Sequence, residues 1–264
     1  MIDIIKVKEF YKQYISNYNP EEPRIALKVA HIYRTAEKAK WLVEKLKLNE
    51  EDVVLAELIG LLHDIGRFEQ VRMYNTFLDK ISINHGEHGI KVLFEDNLIR
   101  NFIVDSEHDE IIRKAVINHN RDIIEENCSE RELLHCKIIR DADKLDIFDV
   151  ILTDPLDAAY PLDRYPKEGI SKEIKEGFIE NHRIDYSKIK SCVDVLVAQI
   201  AYIFDINYLF SLEKIKEENY LQRIIERFDT KDEETINNLK ELKDIAEKYI
   251  QEKIKEGEIC LKNY

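Results

Sequence analysis

The sequence contains little glycine and proline, with seven Gly and five Pro among 264 residues. Folds rich in sheets and loops need many turn residues, so this composition favours helices. Cysteine is also scarce, with four residues in the chain. These four cysteines are scattered and form no C-x-x-C pair. Scattered cysteines argue against a disulfide framework and fit free thiols in a reducing cytoplasm.

Long apolar runs and an excess of positive charge are both missing. The most apolar stretch, residues 192–212, is interrupted by Asp194 and Asp205, and each aspartate would cost roughly 2.5–3.5 kcal/mol at the centre of a bilayer. The N-terminal segment MIDIIKVKEF has no signal-peptide hydrophobic region. The formal net charge is −13, whereas nonspecific nucleic-acid binding requires a basic surface. We therefore expect a cytoplasmic protein with neither a membrane nor a nucleic-acid polymer as partner. Its oligomeric state stays open.

Apolar residues make up 44% of the chain and recur mostly with helical spacing. This pattern predicts an all-α fold with helices over residues 2–17, 24–47, 49–66, 84–96, 109–119, 131–152, 170–180, 188–206, 207–228 and 231–257. Pro155, Pro161 and Pro166 predict an irregular connection, a candidate lid. We expect two domains, a helical core over residues 1–165 and a C-terminal helical extension over residues 166–264 that packs on the core.

Histidines are concentrated in the first half of the chain, since six of the eight lie between residues 31 and 119. His63 and Asp64 directly follow an apolar run, which brings the end of a buried helix to a surface. An imidazole next to a carboxylate offers two ligands of the type that Zn, Mn, Fe or Ni bind. Taken alone, the dipeptide also fits a polar turn without chemistry.

Three further histidines are candidate ligands. His31 borders the apolar stripe of its helix beside basic residues, which fits either a ligand facing a cleft or an exposed histidine. His85 begins a helix in the segment His-Gly-Glu-His-Gly. His119 continues the apolar face of its helix, so by itself it fits a hydrogen-bonded core histidine as well as a metal ligand.

The segment DADKLD, residues 141–146, supplies the candidate carboxylates. Lys137, Asp141 and Lys144 are spaced as a row of ion pairs along one helix face, which predicts a solvated face. Asp143 points to the other side, among apolar neighbours, where an unpaired aspartate is costly. The helical geometry therefore favours Asp143 as the metal ligand and Asp141 as a surface residue.

Taken in order, the segments HIYRTA, LIGLLHDIGRF, HGEHG, AVINHN and DADKLD resemble the HD-domain superfamily of metal-dependent phosphohydrolases. The resemblance covers residues 24–152 and implies an HD-domain helical bundle with additional C-terminal helices. The cofactors it implies are one or two divalent transition-metal ions (Mn, Fe, Ni, Co or Zn). The ligands it implies are His31, His63, Asp64 and Asp143 for one ion and His85 and His119 for a second, with Asp64 bridging.

Two subfamilies fit this sequence less well. The Gly-Tyr-Pro signature of HD-type cyclic-di-GMP phosphodiesterases is missing. Arg67 stands where the stringent-response nucleotide hydrolases of the superfamily carry an acidic pair. The C-terminal third, from about residue 170, matches no motif of the family.

The resemblance implies a metal-dependent phosphohydrolase that acts on a nucleotide or another small phosphoester through a metal-activated water. Asp64 and Arg67 are the expected catalytic residues, Asp64 orienting the water and Arg67 contacting the phosphate. Arg67 also fits an ion pair with Glu69. The basic residues expected to bind the small phosphorylated substrate are Arg24, Arg34, Lys38 and Arg67. Glu69 and Asp146 are candidates for orienting the ligand histidines.

Two other functions fit the same ligands. HD-fold di-iron oxygenases carry the same six-residue set, so the ligands alone do not separate the two reactions. A regulatory module with a bound metal is the third reading.

Overall fold

The computed structural model describes residues 2–160, 162 and 165–262, and the chain divides into two compact units after Asp146. Across these residues the structure consists of helices and connecting loops without a β-strand, which confirms the all-α prediction. The predicted domain boundary, after residue 165, falls within the second unit. In the described part of the chain, no helix combines the length and the apolarity needed to cross a membrane.

The first unit is built from seven helices among its described residues and most of an eighth. They are α1 (Ile4–Ile15), α2 (Pro23–Lys45), α3 (Glu50–Leu62), α4 (Gly66–Tyr74), α5 (His85–Ile90), α6 (Ile99–Phe102), α7 (Asp109–Asn118) and α8 (Glu130–Thr153). A π-helical turn over Lys91–Glu95 continues α5, and a short 3₁₀ turn over Asp79–Ile81 precedes it.

The central helix of this unit is α3, because every residue from Leu55 to Gly66 is buried. Its start matches the prediction, since the Asn49 side chain accepts a hydrogen bond from the backbone N–H of Asp52 at 2.9 Å. Close contact with α2 is possible at Gly60, where an added Cβ would lie 2.5 Å from the Cα of Ala36. The buried helix thus carries the chain directly to His63 and Asp64.

The helix α4 was not predicted, because its residues lack a clear apolar stripe. Phe68 and Val71 are buried, but Gln70 is fully buried as well. The Gln70 amide donates hydrogen bonds to Asp79 Oδ1 at 2.8 Å and to the Ser82 hydroxyl at 2.8 Å. A polar residue at a buried position interrupts the helical spacing of apolar residues, so the sequence pattern does not predict the helix.

The second unit contains the end of α8 and six further helices within the described residues. They are α9 (Leu156–Ala159), α10 (Lys172–Glu176), α11 (Cys192–Ile200), α12 (Leu209–Glu217), α13 (Tyr220–Arg227) and α14 (Glu233–Lys262). The helix predicted over residues 207–228 is split into α12 and α13, because Asn219 adopts a left-handed conformation with φ of 52°. Of the predicted lid, residues 161, 163 and 164 lie outside the described residues.

Candidate metal centre

The carboxylate of Asp64 lies at the centre of four histidines. Its Oδ2 atom is 3.5 Å from Nε2 of His31 and 3.6 Å from Nε2 of His63. Its Oδ1 atom is 3.5 Å from Nε2 of both His85 and His119. Asp64 is only 2% exposed. Inside the protein, each of its two oxygens therefore faces a separate pair of histidines.

A second carboxylate completes one of these pairs. Oδ1 of Asp143 lies 3.1 Å from Nε2 of His31 and 3.7 Å from Nε2 of His63. The structure therefore forms two groups that share one carboxylate. Group one contains His31, His63, Asp64 and Asp143; group two contains Asp64, His85 and His119. The six residues that the sequence indicated as ligands lie together.

Five segments of the fold supply these side chains. His31 lies on α2, His63 and Asp64 form the corner between α3 and α4, and Asp143 lies on α8. His85 is the first residue of α5, and His119 directly follows α7. The ligands therefore come from helix ends and helix faces that only tertiary packing brings together.

Gly66 allows the corner that carries Asp64 to approach α5. A Cβ atom at this position would collide with the backbone oxygen of His85 and would lie 2.7 Å from the backbone nitrogen of Gly89. Both obstacles are backbone atoms, which a side-chain rotation cannot remove. The absence of a side chain at Gly66 therefore lets His85 reach the carboxylate of Asp64.

Each histidine uses its Nδ1 atom for a hydrogen bond to an oxygen. His31 pairs with Asp146 Oδ2 at 2.8 Å and His85 with Asp79 Oδ2 at 2.6 Å. The two remaining rings donate to backbone oxygens, His63 to that of Gly60 at 2.7 Å and His119 to that of Val116 at 2.6 Å. An Nδ1–H donor leaves Nε2 available as a metal ligand.

The donor atoms fit divalent ions in both chemistry and spacing. The buried Nε2 atoms of His31 and His63 have no hydrogen-bond partner, which is costly unless a ligand such as a metal ion satisfies them. Metal–ligand bonds of about 2.0–2.2 Å place neighbouring ligand atoms about 3.0–3.5 Å apart. The Nε2 atoms of His85 and His119 are 3.0 Å apart, and the distances from Asp64 to the four Nε2 atoms are 3.5–3.6 Å.

Comparison with known protein families assigns the segment that carries this geometry to one of them. Residues 29–147 match the family model of the HD domain. The chain carries an HD domain. The match contains all six residues of the two groups, and it confirms the resemblance found in the sequence. Members of the HD-domain superfamily are typically metal-dependent hydrolases. No curated protein and no solved structure matches the chain.

The carboxylates of the HD domain are held in their ionised form. Burial raises the pKa of Asp64, but the Lys28 ammonium and then the His63 imidazole hold it well below its usual range. Burial also raises the pKa of Asp143, and the nearby imidazoles of His31 and His63 hold it well below its usual range. Both ligand oxygens therefore carry negative charge at neutral pH.

The histidines of the two groups differ in their affinity for protons. Burial and the Lys28 ammonium both lower the pKa of His31, but the carboxylates of Asp143, Asp146 and Asp64 outweigh them and raise it to about 10. Burial, and then the charge of Arg67, lower the pKa of His85 to about 3. Without an ion, group one thus holds a proton on His31, whereas His85 in group two is neutral.

This difference predicts that ion binding at group one depends more steeply on pH. An ion that binds group one must displace the proton from His31, so its affinity should rise by about tenfold per pH unit between pH 6 and pH 8. His85 has no proton to lose in this range. Mn²⁺ titrations by calorimetry at pH 6, 7 and 8 would measure both binding events, and equal slopes at the two groups would contradict the prediction.

Asp146 and Asp79, the carboxylates hydrogen-bonded to Nδ1 of His31 and of His85, allow a matched pair of variants. Asp146→Asn should weaken ion binding at group one by about 10- to 100-fold, because it removes the charge that orients His31. Asp79→Asn should do the same at group two through His85. Each variant is the control for the other in calorimetric Mn²⁺ titrations. Loss of both ions from each variant would show a general loss of structure instead.

The basic residues expected to bind substrate make contacts within the protein. Arg34 Nε and Lys38 Nζ donate to Asp146 Oδ1 at 2.9 Å and 2.6 Å. Arg24 donates to Glu22 at 2.7 Å and also to the backbone oxygen of Asn75. Arg34 and Lys38 therefore support the carboxylate that orients His31, and substrate binding by these three residues stays a prediction.

Arg67 is fixed beside group two. Its Nη1 atom donates to the backbone oxygen of Phe77 at 2.7 Å and to Asp79 Oδ1 at 2.9 Å. Its Nε atom lies 3.5 Å from Asp64 Oδ1 and has no hydrogen-bond partner. Arg67 thus pairs with Asp79 and not with Glu69.

Two sequence-based expectations were wrong. Glu69 does not orient a ligand histidine, because it accepts a hydrogen bond from the Tyr18 hydroxyl at 2.5 Å and pairs with Arg72. Asp141 is not a surface residue, because it is fully buried, and Lys144 is only 5% exposed. The segment from residue 138 to residue 142 is buried throughout, so α8 has no solvated face there.

The contacts of two polar residues of the centre were not predicted from the sequence, although Lys28 is one of the basic residues beside His31. Lys28 donates to Asp64 Oδ2 at 2.5 Å, and Asp79 holds both His85 and Arg67. Lys28 lies three residues before His31 on the same helix, and that spacing places the two side chains on one face. Asp79 lies in a short 3₁₀ turn, where no periodicity points to its partners.

Proposed function

We propose that the protein is a metal-dependent phosphohydrolase that acts on a nucleotide or another small phosphoester. The observation that carries this proposal is the shared carboxylate: each oxygen of Asp64 faces its own pair of histidine Nε2 atoms. His31, His63, Asp64 and Asp143 would hold one divalent ion, and Asp64, His85 and His119 a second. Bound ions supply Lewis-acid polarisation of a phosphoryl oxygen and a water of lowered pKa.

The surrounding residues suit an anionic substrate. Two cations, Lys28 and Arg67, contact opposite oxygens of Asp64. Arg67 is held by Phe77 and Asp79 through Nη1, which leaves its Nε–H free of a hydrogen-bond partner beside Asp64. An oriented guanidinium can donate a charge-assisted hydrogen bond to a phosphoryl oxygen.

Other residues of the chain keep the centre in place. Asp146 and Asp79 fix the rings of His31 and His85, so their Nε2 atoms are aimed before a substrate arrives. Of the two carboxylates in group one, Asp143 is the more exposed, at 17% against 3% for the side chain of Asp64. We infer that substrate enters from the side of Asp143. The net charge of −13 favours a small substrate over a nucleic-acid polymer.

The proposal is tested by metal analysis and a substrate panel. Protein purified without added metal should contain a divalent transition metal, and it should release phosphate from nucleotides or small phosphomonoesters with Mn²⁺, Co²⁺ or Ni²⁺. Oxygen consumption by the iron-loaded protein is measured in parallel. Substrate-dependent oxygen uptake without phosphate release under any metal would show an oxygenase, and bound metal without either activity would favour a regulatory module.

A further inference from the structure

The ammonium group of Lys28 reaches into group one of the candidate metal centre. Its Nζ atom lies 2.5 Å from Asp64 Oδ2, the oxygen that also faces His31 and His63. The Lys28 side chain is 14% exposed, so it approaches Asp64 from the edge of the protein. A divalent ion in group one would need the oxygen that this ammonium now contacts.

We propose that Lys28 neutralises Asp64 while group one is free of an ion, and that an arriving ion displaces the ammonium to a position where it binds the phosphate of the substrate. This inference rests on the proposed function, because it assigns Lys28 a role at the same centre. The group that the displaced ammonium binds is a phosphate of the substrate.

Charge is the first argument. A buried, ionised carboxylate is costly unless a cation is paired with it, and Lys28 provides that cation for Asp64. An ion on the same oxygen brings a second positive charge within a few ångströms of the ammonium. The two cations repel each other, so the more mobile one must leave.

Mobility is the second argument. Arg67, the other cation beside Asp64, is tied through Nη1 to Gln70, Phe77 and Asp79. Lys28 ends in a single ammonium on a flexible four-carbon stem, which can swing without breaking such a network. Of these two cations, Lys28 is therefore the one that can move.

The aromatic ring of Phe77 can bind the displaced ammonium of Lys28. Lys28 Nζ lies 5.4 Å from the centre of this ring, and the Arg67 guanidinium carbon lies 5.4 Å from the same centre. Attraction between a cation and an aromatic face holds the ammonium near the ring after it leaves Asp64. Lys28 and Arg67 would then flank Phe77 as two cations, an arrangement suited to a phosphate dianion.

The first test measures binding of Mn²⁺ alone to the full-length protein after chelator treatment. Lys28→Met should bind the first Mn²⁺ about tenfold more tightly than the wild type, because the ion no longer displaces an ammonium. Lys28→Gln should show the same increase, in case the methionine variant folds poorly. Lys45→Met removes a charge from an exposed position of the same helix and should bind Mn²⁺ as the wild type does.

The second test measures binding of inorganic phosphate to the Mn²⁺-loaded proteins by calorimetry. Lys28→Met should bind phosphate about tenfold more weakly than the wild type, since one charge-assisted contact is lost. Lys45→Met should leave phosphate binding unchanged. The proposal thus predicts opposite changes in the two affinities, whereas a merely structural lysine would weaken both.

The outcomes separate this inference from the proposed function. Unchanged or weaker Mn²⁺ binding by folded Lys28→Met, or unchanged phosphate binding, would overturn the role of Lys28 while leaving the metal centre intact. A wild-type protein that binds no divalent ion would overturn the proposed function and this inference together.

Discussion

Asp64→Asn should remove the ions from both groups and abolish phosphate release. Among the residues that the structure describes, Asp64 is the one carboxylate with an oxygen within 4 Å of all four histidine Nε2 atoms, at 3.5–3.6 Å from each. An amide of the same size keeps the packing but loses the negative charge. Substitution of a residue that only orients a metal ligand typically costs 10- to 100-fold, so we expect a loss of more than about 100-fold in activity here. Metal content by mass spectrometry and a phosphate-release assay measure the two effects.

The matched control for this variant is Glu44→Gln, which neutralises an exposed carboxylate on α2. It should keep the metal content and the activity of the wild type. Circular dichroism would show whether Asp64→Asn is folded. A folded Asp64→Asn protein that retains both ions would contradict the bridging position of this carboxylate.

Asp143→Ala should remove the ion of group one and leave that of group two. Asp143 lies 3.1 Å from His31 and 3.7 Å from His63, whereas group two consists of Asp64, His85 and His119. The variant should therefore bind one ion fewer than the wild type. If both ions take part in the reaction, activity should fall by at least about 100-fold, as for the loss of a strong electrostatic contact in the transition state.

Asp141→Ala is the control for Asp143→Ala, since it removes a carboxylate from the same helix. Asp141 is fully buried, so its loss should lower the free energy of unfolding by about 1–3 kcal/mol without changing the number of bound ions. Urea denaturation and metal analysis distinguish these effects. Loss of an ion from Asp141→Ala but not from Asp143→Ala would show that the carboxylates were assigned in the wrong order.

The ligands could be predicted from the sequence because each one stands in a recognisable segment. His63 and Asp64 follow a buried apolar run, His85 follows the helix-capping Asn84, and Asp143 lies opposite a row of charges. These segments all lie within residues 29–147, which match the family model of the HD domain. Local patterns therefore made these residues candidates, and the resemblance of their order to the HD-domain superfamily implied the full set of ligands.

Of the residues that orient the ligands, the sequence indicated Asp146, but it did not show which histidine Asp146 contacts, and it gave no sign of Asp79. The hydrogen bond from His31 to Asp146 joins residues that are 115 positions apart, and neither residue carries a local sign of the other. Arg34 and Lys38 were expected to bind substrate because they are basic, but in the folded protein both contact the carboxylate of Asp146. The burial of Asp141 likewise depends on the helices around α8, which helical spacing alone does not reveal.

The hydrogen bonds of the four histidine Nδ1 atoms also determine which mutations can change the centre. In each group one ring is oriented by a carboxylate, Asp146 or Asp79, and the other by a backbone oxygen, that of Gly60 or Val116. A single substitution can alter a carboxylate, but no change of side chain deletes a backbone oxygen. Each group thus has one histidine oriented by a replaceable side chain and one oriented by the backbone, so substitutions at Asp146 and Asp79 could tune the two groups separately.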